Sequence, residues 1–157
     1  MFSCIFRNSR TVMVCCLLSL GPLVASATDV DEAASQISDR DKFKSAVREL
    51  RTGVGPRYQS LRQALDHYPL AVYLDALVIE GNLHYGKPGD VTAFLQIAGS
   101  SPIAMRTLRS FVRHKIDDRR WRAVVEVTEG LTLSTELTCH RAHALLMIGK
   151  TSEAIPL

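Results

Sequence analysis

Apolar residues recur three and four positions apart along most of the chain, separated by short clusters of Gly, Pro and Asp. That spacing predicts amphipathic helices, and the two-residue alternation of half-buried strands is absent. Asp29 to Arg51 reads as a first helix through Ala33, Ile37, Phe43, Val47 and Leu50, stopped by Thr52-Gly53-Val54-Gly55-Pro56. A second is expected from Arg57 to His67, with Tyr58, Leu61 and Leu65 on one face and Pro69 ending it. A third is expected from Ala71 to Leu83 through Val72, Leu74, Leu77 and Val78, closed by Gly86-Lys87-Pro88-Gly89. Asp90 is expected to cap a fourth carrying Phe94 and Ile97. Ser101 is expected to cap a fifth, with Pro102 at its first position and Met105, Leu108, Phe111 and Val112 as its apolar positions, up to Asp117-Asp118. A sixth is expected over Arg119 to Val127 around Trp121. A seventh follows Ser134 through Leu137, His140, Ala144, Leu145 and Ile148, with Gly149 as its closing residue. An eighth starts at Thr151 or Ser152.

Helical hairpins beginning near Arg57, Asp90, Arg119 and Thr151 recur about every 30 residues, within the range of helical repeats. The expected fold class is all-α: tetratricopeptide-like hairpins stacked as part of a superhelical solenoid, each unit completing its core against its neighbours. An irregular helical bundle is the competing architecture. The last unit stops at Ser152-Glu153-Ala154-Ile155 without a polar cap, so the array is expected to be interrupted there.

The first 27 residues carry a different pattern. Arg7 and Arg10 precede an apolar run from Thr11 to Leu20, Gly21 and Pro22 break it, and Ala25-Ser26-Ala27 has the form of a cleavage site. This is the arrangement of a signal peptide, expected to be cut after Ala27 to leave residues 28–157. The run is too short to cross a bilayer, which takes about 20 residues. Without Arg7 and Arg10 the chain holds seventeen basic and sixteen acidic residues. That near balance argues against a nucleic-acid partner. Cys4, Cys15 and Cys16 fall in the leader, so Cys139 remains alone in an exported chain: either buried and inert, or paired with a residue after Leu157.

Few residues invite chemistry. Glu80 is a carboxylate in an apolar run; Asp117, Asp118, Glu126 and Glu129 read as solvated charges. Cys139, His140 and His143 offer three ligands on one helix without a second cluster, and are read as packing or surface groups. Arg106, Arg109 and Arg113 form a basic stripe at i, i+3 and i+7, followed by Arg119, Arg120 and Arg122. The stripe is a candidate glycan or anion contact, weighed against a solvated face with local ion pairs to Asp117 or Asp118. Tyr68, Tyr73, Tyr85 and Trp121 could stack on sugars or pack a core. No catalytic, cofactor-binding or metal residue is assigned.

His67-Tyr68-Pro69-Leu70-Ala71-Val72-Tyr73-Leu74 is similar to the YPL-x-x-YL stretch of soluble lytic murein transglycosylases. Phe94-Leu95, Met105 to Arg109, Arg119-Arg120-Trp121-Arg122, Leu137 to Ala142 and Gly149 to Ala154 follow in that family's order, so the likeness covers about Asp66 to Ala154. Gly81 and Gly86 to Gly89 depart from it. The resemblance implies a periplasmic protein whose ring of helical hairpins embraces a separate lysozyme-like domain of the same polypeptide. That domain would cleave peptidoglycan strands, with formation of 1,6-anhydromuramic acid. None of its motif lies in this chain, which is expected to be inactive alone. The resemblance further implies that Cys139 pairs with a cysteine shortly downstream. The alternatives are a stand-alone periplasmic scaffold of tetratricopeptide type that binds a partner protein, and a remnant of a broken gene.

Overall fold

A computed structural model describes the backbone of residues 27–155 and the side chains of residues 38–155. The expected leader and its hydrophobic run lie outside the described residues. Among the described residues the chain is helical throughout, with no strand. The elements are α1 (Ala27–Leu50), α2 (Pro56–Gln63), α3 (Ala71–Gly81), α4 (Pro88–Ala98), α5 (Pro102–Asp117), α6 (Trp121–Val127), α7 (Thr135–Met147) and α8 (Thr151–Ala154). No helix among them is long and apolar enough to cross a membrane.

The helix starts follow capping chemistry. Ser101 and Ser134 accept from the backbone N–H groups of Ala104 and Leu137, each satisfying a donor that has no partner inside its helix. Asp90 acts differently from the expectation. α4 begins at Pro88, whose ring fits the first helical position, and the Asp90 carboxylate reaches back to accept from the Lys87 N–H at 3.3 Å. α2 also stops early, at Gln63, and packs against α1. The first expected hairpin, α2 with α3 from Arg57, is therefore replaced by α1 with α2.

From α3 to α5, contacts join each helix to its successor and to the one after. α3 touches α4 and α5, α4 touches α5 and α6, α5 touches α6 and α7, and α7 touches α6 and α8. α3, α5 and α7 start at residues 71, 102 and 135, close to the 30-residue spacing read from the sequence.

α5 is the central element. Ile103, Ala104, Thr107, Leu108, Phe111, Val112 and Lys115 are all buried, an unbroken stripe at helical spacing. Leu108, Phe111 and Val112 join Val91, Val124, Val127, Leu137 and Ala144 in one core. Ile103 and Ala104 meet Ala76 and Phe94 in a second, and a third core joins α1 to α3 around Tyr58, Leu65 and Leu74. Two polar members of the stripe have specific partners. Thr107 Oγ1 donates to Glu80 at 3.1 Å. Lys115 Nζ donates to the carbonyls of Leu83 at 2.7 Å and His84 at 3.1 Å, and lies 4.9 Å from the centre of the Phe111 ring. Burial, and then the Arg120 charge, lower the pKa of that ammonium. Both bonds hold the α3–α4 loop against α5. Gly86 belongs to the same loop, where an added Cβ would sit 3.0 Å from the Asn82 carbonyl and 3.5 Å from Phe111.

α5 and α7 end the same way on different residues. Behind α7, Gly149 N–H donates to Leu146 and Lys150 N–H to Leu145, with Gly149 at φ +79°. Behind α5, Arg119 N–H donates to Ile116 and Arg120 N–H to Lys115, with Arg119 at φ +56°. These are two Schellman closures, and the left-handed position is usually glycine because a Cβ clashes there. Arg119 thus ends α5 rather than opening α6, which starts at Trp121. Arg119→Gly is expected to stabilise the fold by about 1 kcal/mol in urea unfolding, the relief of one left-handed side chain set against the entropy of glycine. Phe111→Ala is expected to destabilise it by about 3–5 kcal/mol in the same measurement, through a cavity where the loop and four helices meet.

Candidate functional site

The arginine stripe lies on the side of α5 that faces α3 and α7. Arg106 donates through Nε and Nη2 to the two carboxylate oxygens of Glu80 on α3, both at 3.2 Å. Arg113 donates to Glu136 Oε1 through Nη2 at 2.6 Å and Nε at 3.1 Å. Arg109 Nε lies 3.1 Å from the other Glu136 oxygen. Glu136 sits in the first turn of α7, where the helix dipole also favours a negative charge.

The three guanidinium groups therefore share two carboxylates and brace α5 to both neighbours. One net positive charge remains, spread over side chains that are 38–61% exposed. Such surface pairs are screened, and each contributes little to stability. They also order the guanidinium groups, whose free edges remain on the surface. An anion gains from that order only if it outcompetes Glu80 or Glu136.

Both oxygens of Glu80 accept from Arg106, and Oε1 also accepts from Thr107. The carboxylate is thus occupied as an acceptor on both sides. Asp117, Glu126 and Glu129 are exposed. Asp118 is not simply solvated, since it faces His84, His114 and Arg120.

The Cys139, His140 and His143 side chains do not converge. His140 lies 3.8 Å from Glu136, and His143 packs on Trp121 with ring centres 5.2 Å apart. Cys139 is a free, exposed thiol, so the buried alternative for it does not hold. Trp121 packs against the α4–α7 core, and Tyr68 against Phe43. Tyr73 and Tyr85 are 42% and 77% exposed, which leaves those two rings accessible. Arg62 escaped attention in the sequence, and Tyr58 was read only as part of an apolar helix face. The buried Tyr58 hydroxyl is pushed up to about 12, chiefly by burial and then by Asp75. Arg62 bridges α2 to α3 through a two-point contact with Asp75 at 2.7 and 2.8 Å. Both residues hold the first three helices together.

The Arg113 hydrogen bonds hold the Glu136 carboxyl below its ordinary value of 4.5, and outweigh the opposing effect of burial. A depressed carboxylate stabilises the fold above its unfolded pKa, and the contribution disappears as pH falls through the folded one. The stability of the native protein is therefore expected to exceed that of Glu136→Gln near neutral pH and to converge on it in acid. Urea midpoints across that range, at low salt, check this. A gap that stays constant with pH would show that the α5–α7 brace is not electrostatic. No family model, curated protein or solved structure matches this chain.

Proposed function

We propose that the chain is the N-terminal, non-catalytic helical domain of a periplasmic lytic murein transglycosylase, built as a tetratricopeptide-like superhelical solenoid. The observation that carries the reading is the contact ladder from α3 to α7, in which α3, α4 and α5 each meet their successor and the next helix. A solenoid is built this way, because each unit can complete its core only on its neighbours. Ring-like embracing domains use such units, since a small rotation per hairpin accumulates into a curved surface.

The resemblance supports the identity of the domain at specific positions. In the Tyr68-to-Leu74 stretch, Tyr68 packs at the α2–α3 turn while Ala71 and Leu74 are buried on α3. Phe94 and Leu108 lie in cores, and Trp121 packs on one at the start of α6. The motif is thus read as a packing signature. The arginine stripe, braced by Glu80 and Glu136, would serve mainly to fix the hairpin angle, with its residual charge facing the wall polymer.

A second reading, a scaffold that binds a partner protein, is favoured by exposed apolar side chains on α7 and just after α8. Leu146 and Met147 are 51% and 53% exposed and Ile155 is 79% exposed. A solenoid covers such surface with a further hairpin, and a scaffold with its partner.

The first test is the nucleotide sequence that follows the Leu157 codon in the source genome. An open frame, continuous or restored by one frameshift, is expected to encode more helical hairpins and a lysozyme-like domain. A clean stop with no such coding sequence sinks the transglycosylase reading. The chain by itself is expected to release no 1,6-anhydromuropeptides from purified sacculi, as followed by chromatography of the soluble products.

A further inference from the structure

We propose that His84, His114 and Asp118 form a zinc-binding site that pins the α3–α4 loop to the end of α5. This inference stands apart from the transglycosylase reading. His84 comes from the loop, while His114 and Asp118 lie one turn apart at the α5 terminus. His84 Nδ1 is 3.2 Å and His114 Nε2 is 3.6 Å from the same oxygen, Asp118 Oδ2. One donor atom from each residue lies within 4.8 Å of the other two.

Three arguments point from this cluster to a metal ion. The first is size. With zinc bonds of about 2.0–2.1 Å, the edge of a tetrahedron is about 3.3 Å. The two short separations lie close to that edge. The second is hydrogen bonding. His114 Nε2 and Asp118 Oδ2 are shielded from solvent, yet neither has a hydrogen-bond partner. The close approaches therefore lack hydrogen-bond geometry, and the two unpartnered atoms lie 3.6 Å apart. A buried polar atom without a partner is costly, and a cation would satisfy both at once. The third is position. Asp118 is the C-cap of α5, where the helix dipole favours positive charge.

The surroundings choose among cations. Arg120 Nε is 3.9 Å from Asp118 Oδ2, and the Lys115 ammonium donates to the His84 carbonyl. With one carboxylate against these two positive groups, a hard ion held by charge, such as calcium or magnesium, is disfavoured. Zinc is bound well by imidazole nitrogen and carboxylate oxygen together. Three protein ligands leave a fourth position for water.

Titration calorimetry of the full chain with zinc chloride near neutral pH tests the site. Cys139→Ser is used as background, because an exposed thiol is itself a zinc ligand. One zinc per chain is expected, with cobalt giving the visible absorption of a tetrahedral complex. His84→Ala and His114→Ala should each weaken binding roughly tenfold or more, since even outer partners of zinc ligands change affinity by about 10–100-fold. His84 is 55% exposed and belongs to the loop, so its removal leaves the α5 core intact; circular dichroism checks this. Zinc should also raise the melting temperature of the Cys139→Ser protein and not that of the His84→Ala variant. Absence of saturable zinc binding overturns the proposal. So does binding that survives both histidine substitutions.

Discussion

The structure depends on the burial of one face of α5. Seven of its residues, from Ile103 to Lys115, are withdrawn from water at the spacing of a single stripe. Apolar burial contributes about 25 cal/mol per Å², so a central helix covered by four neighbours outweighs most local preferences. α3, α4, α6 and α7 all take position from it. This explains how a lysine can be buried there. The Lys115 charge is costly out of water, but two carbonyls and the Phe111 ring face it, and the loop that supplies those carbonyls is ordered in return.

The same burial organises the surface. Because α3 and α7 flank α5, residues that are far apart in sequence fall into ion-pair distance across both seams. Glu80 meets Arg106, and Glu136 meets Arg109 and Arg113. A row of three arginines, which in isolation reads as an attractive surface for anions, becomes mainly a set of struts. The loop held by Lys115 brings His84 to the α5 terminus in the same way.

Local chemistry was legible in the sequence wherever the interaction was local. Ser101 and Ser134 cap helices through a donor three residues away, and Gly149 supplies the left-handed closure. Those features need only a few consecutive residues. Asp90 was read as a cap because its side chain does satisfy a helix-terminal donor, but from three positions inside. Arg119 was misread for a physical reason. The closing position behind α5 lacks the glycine that normally marks it, so the helix seemed to restart there. The buried Thr107 and Lys115 were missed because periodic reading counts them as polar. Their partners lie 27 and 31–32 residues away, beyond any local pattern.

The site residues divide along the same line. The arginine stripe was visible because one helix carries all of it, whereas its acidic partners on α3 and α7 were not. The histidine and aspartate cluster was invisible for the converse reason. Cys139, His140 and His143 drew notice by their spacing on one helix, yet His140 lies beside Glu136 and His143 packs on Trp121, so their donor atoms do not meet. His84 and Asp118 lie 34 positions apart and come together where Lys115 holds the loop on α5. In this all-helical chain, convergent chemistry is therefore to be sought at the seams between helices. There the end of one helix meets the loop before another, and spacing along a single helix is a poor guide.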